Sequence, residues 1–178
     1  YNAILGGGPA YIVHPSNCAS ALVALDATIH ITGPDGDRST AADDFFVLPT
    51  ERLTQENDLA RGEIVTHVTV PSKGGASRSA FLETSERAGF DWGISGAAVA
   101  GTVVNGVITD TRIVLYAVAP IPWRAYEAEA ALDGKPLTED NIRAAAETAL
   151  AGAEPLSNNA YKVPLTKTMV RRALARLA

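Results

Sequence analysis

The sequence predicts an α+β protein in which a sheet is followed by helices, twice over. Three observations carry that prediction. Asn105-Gly106 stands between two runs rich in β-branched residues and supplies the paired φ > 0 of a type I′ hairpin turn. Gly33-Pro34-Asp35-Gly36 forms a second turn directly after Thr28, Ile29, His30 and Ile31. The last third carries three segments with helix start and stop signals, the final one placing Leu165, Met169, Ala173 and Leu177 at four-residue spacing.

Taken in order, residues 10–13 read as an extended piece and residues 18–25 as a short helix, N-capped by Ser16 or Asn17. A strand over 28–31 turns at 33–36 into a hairpin ending near Ser39. Residues 42–46 suit a helical turn with Phe45 and Phe46 inward, and 49–61 is a polar loop. Residues 63–70 form a strand closed by Pro71. Ser72-Lys73-Gly74-Gly75 is polar and flexible, which divides the chain into units 1–73 and 76–178. The second unit opens with three antiparallel strands over 77–85, 93–104 and 107–118. Helices over 124–132, 139–151 and 164–177 follow. Asp133-Gly134 stops the first, Thr138 caps the second, and Pro164 suits the first turn of the third. Arg171, Arg172 and Arg176 complement the negative end of the last helix dipole.

Composition narrows function by exclusion. The net charge of −5 opposes nucleic-acid binding, which needs a basic face. No apolar run approaches the roughly 20 residues that span a bilayer. A single cysteine, Cys18, excludes an internal disulfide and any cysteine cluster within the chain. Tyr1 in place of an initiator Met suggests a piece of a longer protein or a processed product.

No catalytic constellation and no metal motif emerges. His14, His30 and His67 match no metal spacing and read as structural or surface residues. Ser85 and Ser95 lack a nucleophile elbow. Asp43-Asp44 and the Glu127/Glu129 pair read as solvated carboxylates. What stands out is Gly6-Gly7-Gly8, followed by His14-Pro15-Ser16-Asn17 and a helix start. Glycines let a backbone take φ > 0 and lie against a ligand. A helix start offers free N–H groups to an anion or a polar cofactor edge. The glycines lack the Lys-Ser/Thr of a P-loop and the strand–helix context of a dinucleotide fingerprint. A plain turn and a plain cap would use the same residues.

Residues 2–27 carry that glycine run and helix start, and Gly33-Pro34-Asp35-Gly36-Asp37-Arg38 and Asp44-Phe45-Phe46-Val47-Leu48-Pro49 follow. Gly62-Glu63-Ile64-Val65, Ser79-Ala80-Phe81, Pro122-Trp123-Arg124-Ala125 and Asn159-Ala160-Tyr161-Lys162-Val163 continue in the same order. Together they resemble the FAD-binding flavoprotein (medium) subunit of molybdopterin-dependent oxidoreductases. These are the relatives of xanthine dehydrogenase, carbon monoxide dehydrogenase and aldehyde oxidoreductase, and the aldehyde-oxidoreductase branch fits best. The resemblance implies that 1–73 is the C-terminal part of an FAD-binding subdomain. It implies that 76–178 is a three-stranded antiparallel sheet packed with a three-helix bundle.

It also implies FAD in the complete subunit. Molybdopterin and iron–sulfur centres would lie in partner subunits or upstream sequence, and the partners would be a molybdopterin-binding large subunit and an iron–sulfur small subunit. The principal diphosphate loops would lie upstream of Tyr1. Substrate would be oxidised in another subunit, and electrons would reach an external acceptor through FAD. The cytoplasm and the periplasm both fit.

Residue by residue, Ser16 and Asn17 match a flavin-contacting Pro-Ser-Asp segment, with an amide where the family often has a carboxylate. Val65, with Ile64 beside it, matches an apolar residue near the isoalloxazine ring. Glu83 stands where relatives commonly carry a basic residue near the pyrimidine edge, and Arg87 fits a basic position further on. Ser16 and Asn17 serve equally as caps and Val65 as core. Two other readings remain: a subunit-interaction module without FAD, and a small-molecule-binding α+β module.

Overall fold

A four-stranded antiparallel sheet, in the order β4-β5-β6-β7, separates two apolar layers in the computed structural model, which describes residues 2–178. Tyr1, the first residue of the expected first unit, lies outside the described residues. The strands are β4 (Ser77–Thr84), β5 (Ser95–Val104), β6 (Val107–Tyr116) and β7 (Trp123–Arg124). Side chains alternate between the faces of a strand, so neighbouring residues enter different cores. Ala97, Val99, Ile113 and Leu115 pack against α3 (Tyr126–Leu132), α4 (Glu139–Ala149) and α5 (Lys162–Ala175). Ala98 and Val114 face the other way, into a core shared with α1 (Asn17–Ala24) and a smaller sheet.

That smaller sheet has the order β2-β1-β3, from β1 (Thr28–Gly33), β2 (Gly36–Ala41) and β3 (Ile64–Thr69), all antiparallel. A bulge in β3 opposite His30 and Ile31 shifts its register. Ile29 and Ile31 point into the shared core, and α2 (Ala42–Phe45) adds Ala42 and Phe45. Both turns form where the sequence places them. Asn105 and Gly106 have φ of 51° and 77°, the left-handed pair that a type I′ turn requires. Gly36 has φ of 113° and ends the Pro34-Asp35 turn.

The three expected antiparallel strands gain a short fourth, because Trp123 and Arg124 pair with Leu115 and Val114. The third-last helix therefore starts at Tyr126 rather than at residue 124. Helix α5 begins at Lys162, two residues before Pro164, which stays within the first turn where its missing N–H costs nothing. Its stripe keeps Met169 and Ala173 but adds Thr166, Val170 and Leu174, while Leu165 is only half-buried. Residues 10–13 form no regular element.

Ion pairs tie the two sequence halves together across the second core. Arg124 bonds Glu129 through Nε (3.0 Å) and Asp43 through Nη1 (3.2 Å). Glu129 is thus a buried bridging group and not a solvated carboxylate. Asp26, just after α1, accepts from Arg112 Nε (2.7 Å) on β6 and pairs with Lys73. Burial pushes the Asp26 carboxyl up, but the Arg112 and Lys73 bonds and charges outweigh it and hold the group below its usual range. Its unfolded value is about 3.9. The stabilisation is complete above that value and is lost as pH falls through the lower folded value. Asp26→Asn is expected to lower stability by about 1 kcal/mol near neutral pH. Urea midpoints measured toward about pH 3 should show the gap to wild type narrowing.

Candidate functional site

After β6 the chain runs through Ala117, Val118 and Ala119, all buried, with Ala117 held at a φ of 59°. Both legs of the segment from residue 2 to residue 16 rest on this strip. Val118 O accepts from the amides of Ile4 (2.8 Å) and Leu5 (3.2 Å), and Ala119 O accepts from His14 N (2.8 Å). The Tyr116 hydroxyl donates to Pro15 O (3.1 Å), and Ala3 N donates to Tyr11 O (3.0 Å), which closes the loop on itself.

The three glycines lie between the anchored legs. Gly6 takes a left-handed φ of 57°, and a Cβ there would stand 2.7 Å from the Trp123 ring. A Cβ on Gly7 would stand 2.4 Å from the Tyr11 ring. Here the chain requires glycine for both conformation and close approach. None of the three glycine amides has a hydrogen-bond partner among the described residues. The result is a loop anchored on both sides whose glycine amides are unpaired among the described residues.

At the far leg, Ser16 Oγ accepts from Ala19 N (3.2 Å), so Ser16 is the cap of α1. Asn17 is the first helical residue and is exposed. Next to them His14 stacks edge-on against Phe46, with ring centroids 4.7 Å apart. Both its ring nitrogens are buried without a partner among the described residues. Burial lowers its pKa, with the Glu56 charge opposing. Nothing in the sequence around His14 signalled this; the stacking partner is 32 residues away.

Glu83 lies opposite Gly96 on β4 and is exposed. It shares its strand face with Phe81, whose ring meets Tyr116 at 5.7 Å. Burial and then the Glu83 carboxylate raise the Tyr116 pKa, while the bond at Gly93 lowers it. Tyr116 thus links the neighbourhood of Glu83 to Pro15 and the start of α1. The structure brings Glu83 and Pro15, the residue before Ser16 and Asn17, to the same tyrosine. Val65 and Ile64 lie instead on β3, one of the two edge strands of the smaller sheet. Val65 faces Ile31 and packs against the second core, whereas Ile64 faces Thr32 and is 65% exposed. Arg87 pairs with Asp91, whose carboxylate also accepts from the Arg87 and Trp92 amides at 3.0 Å each. Tyr116 itself carried no sequence signal beyond its place near a strand end.

Known proteins share this fold. Residues 80–177 match the family of CO dehydrogenase flavoprotein C-terminal domains, and residues 2–73 match the FAD binding domain in molybdopterin dehydrogenase. The chain belongs to the FAD-binding medium subunits of the molybdenum hydroxylase family. It is 33% identical to the carbon monoxide dehydrogenase medium chain of Hydrogenophaga pseudoflava over 94% of its own length and 58% of that protein's. It is 30% identical to the aldehyde oxidoreductase FAD-binding subunit of Escherichia coli, covering 98% of itself and 52% of that chain. The solved H. pseudoflava carbon monoxide dehydrogenase superimposes with a TM-score of 0.82 at 32% identity, over 90% of this chain and 55% of that one. The chain therefore spans little more than half the length of these medium subunits.

In this medium-subunit chain the Tyr116 ring packs tightly against Gly93 and its hydroxyl bonds Pro15. A Cβ on Gly93 would stand 2.3 Å from that ring. Gly93→Ala is expected to displace Tyr116, release its bond to Pro15 and cost about 1–3 kcal/mol in urea denaturation. Tyr116→Phe, which removes only the hydroxyl, should cost about 1 kcal/mol. Equal midpoints for Gly93→Ala and wild type would contradict the placement of the ring.

Proposed function

We propose that this chain forms the part of an FAD-binding medium subunit that orients the flavin while electrons pass from iron–sulfur centres to an external acceptor. The observation that carries the reading is the glycine loop. Three consecutive amides, bare of side chains and anchored on both sides, have no partner within the described protein. Such donors suit the polar and anionic groups of a dinucleotide. The buried ring nitrogens of His14 and the capped start of α1 add polar groups nearby in sequence.

FAD would supply the electron chemistry, and the protein would bind, orient and tune it. In this reading the Gly6–Gly8 amides, Ser16 and Asn17 hold polar edges of the cofactor. Glu83 sets the charge at one end, while Val65, packed on the second core, and Ile64 lie on the other sheet and stand outside this group. The proposed partners are a molybdopterin-binding large subunit and an iron–sulfur small subunit. Relatives named as carbon monoxide dehydrogenase and glyceraldehyde dehydrogenase medium chains support that assembly. A second reading, a subunit-contact module that holds no flavin, draws on the exposed aromatic rings of Phe90 and Trp92.

The complete subunit is expected to purify yellow with bound FAD. Gly7→Ala, whose methyl group would strike the Tyr11 ring and shift the loop amides, should lose most of it. A colourless wild type would favour the contact module. Glu83→Lys should raise the flavin midpoint potential, because a positive charge favours the anionic reduced form. The swap is worth on the order of 1–3 kcal/mol within about 6 Å in a partly buried site. An unchanged midpoint at full FAD content would place Glu83 outside the flavin's field. The division into units 1–73 and 76–178 belongs to the same proposal. Limited proteolysis should cut first at 72–75 or in 49–61, where the chain is polar and largely exposed.

A further inference from the structure

The junction between α4 and α5 spends unusual chemistry on three residues at the start of the glycine loop. Lys162 is 0% exposed, and its ammonium meets no carboxylate among the described residues. It donates instead to Ala117 O (2.7 Å) and Asn2 O (3.2 Å). Asn159, also buried, donates from Nδ2 to Asn2 O (3.1 Å) and Ala3 O (3.2 Å). The Glu154 amide donates to Ile4 O at 2.7 Å. The carbonyls of Asn2, Ala3 and Ile4 are therefore all held by residues of one segment, 154–162. The amides of Ala3, Ile4 and Leu5 are held by Tyr11 and Val118. Directly after this doubly bound stretch come the three glycines, whose amides have no partner among the described residues.

Burying an ammonium without a counter-charge is costly, and an apolar side chain of similar volume would serve packing alone at least as well. Burial holds Lys162 down at about 8, so its charge is kept against a real penalty. The penalty is offset only by the carbonyls it reaches. One of those, Ala117 O, belongs to the left-handed residue on the strip that bears the loop.

We propose that Lys162 and Asn159 are positioning residues that clamp Asn2 and Ala3 to Ala117, and so set the direction in which the Gly6–Gly8 amides face the cofactor. This rests on the flavin reading of that loop. The clamp couples the head of the C-terminal helix to the cofactor loop at the other end of the chain.

The test uses the complete subunit, stripped of FAD and titrated with FAD. Lys162→Met and Asn159→Leu are compared with Lys162→Arg and with the surface control Lys167→Met. Hydrogen exchange over residues 2–8 and the thermal midpoint of the FAD-free form are measured alongside. Lys162→Met and Asn159→Leu should weaken FAD binding at least about tenfold and speed exchange over residues 2–8 by a similar factor. The FAD-free midpoint should fall by only the few degrees that unpaired carbonyls cost, less than the lost affinity requires, and Lys162→Arg should recover most of the affinity. If both variants bind FAD as wild type does, the clamp is overturned. It is equally overturned if affinity falls only in step with the FAD-free midpoint. A wild-type subunit that takes up no FAD overturns the flavin reading first and the clamp's role with it.

Discussion

The carbonyl strip from Tyr116 to Ala119 is the constraint on which the site depends. Strand β6 ends there, yet the backbone does not turn away to solvent. Ala117 adopts a left-handed φ, and the next two carbonyls face the segment from residue 2 to residue 16. Buried carbonyls must be satisfied, and those of Val118 and Ala119 have no neighbouring strand to pair with. The amides of Ile4 and Leu5, just before the glycines, and of His14, just before α1, satisfy them. The central sheet thereby fixes two stretches that could not order themselves, since neither contains a regular element until Asn17.

The same economy governs the charges. Arg124 is raised above its usual range because Glu129 and Asp43 outweigh the effect of its burial. It joins α2, β7 and α3 in one network. Lys162 is lowered by its burial, and no carboxylate among the described residues offsets that effect. One buried cation is stabilised by opposite charge and ties elements of the two sequence halves. The other is stabilised only by backbone dipoles and ties one loop to one helix. A charge paired with carboxylates is a general fastening. A charge spent on two particular carbonyls is geometrically specific, because hydrogen bonding to carbonyl oxygens is directional.

Much of the fold was legible because it rests on local rules. Asn105-Gly106 and Pro34-Asp35 turn where their φ preferences require, and Thr138 caps α4 as expected. Strand β7 was not legible, since two residues carry no periodicity and pair only because β6 offers a free edge. The start of α5 was missed because Pro164 marks the first turn of a helix but not its first residue. In the site, Ser16 was readable as a cap from its place before an apolar run. Tyr116, His14 and Lys162 were not, as each takes its role from residues far along the chain.

The sequence by itself determined the element types, the two tight turns, the glycine run and the family to which the chain is similar. These depend on side-chain propensity, on φ preference and on residue order, all of which are local or linear. Only the tertiary structure decided that Glu83 and Pro15, the residue before Ser16 and Asn17, meet one tyrosine while Val65 and Ile64 lie on another sheet. It alone decided that a lysine near the C-terminus holds the first residues of the chain. Those facts follow from which face of β6 each layer covers, and a choice of face is settled by packing between elements.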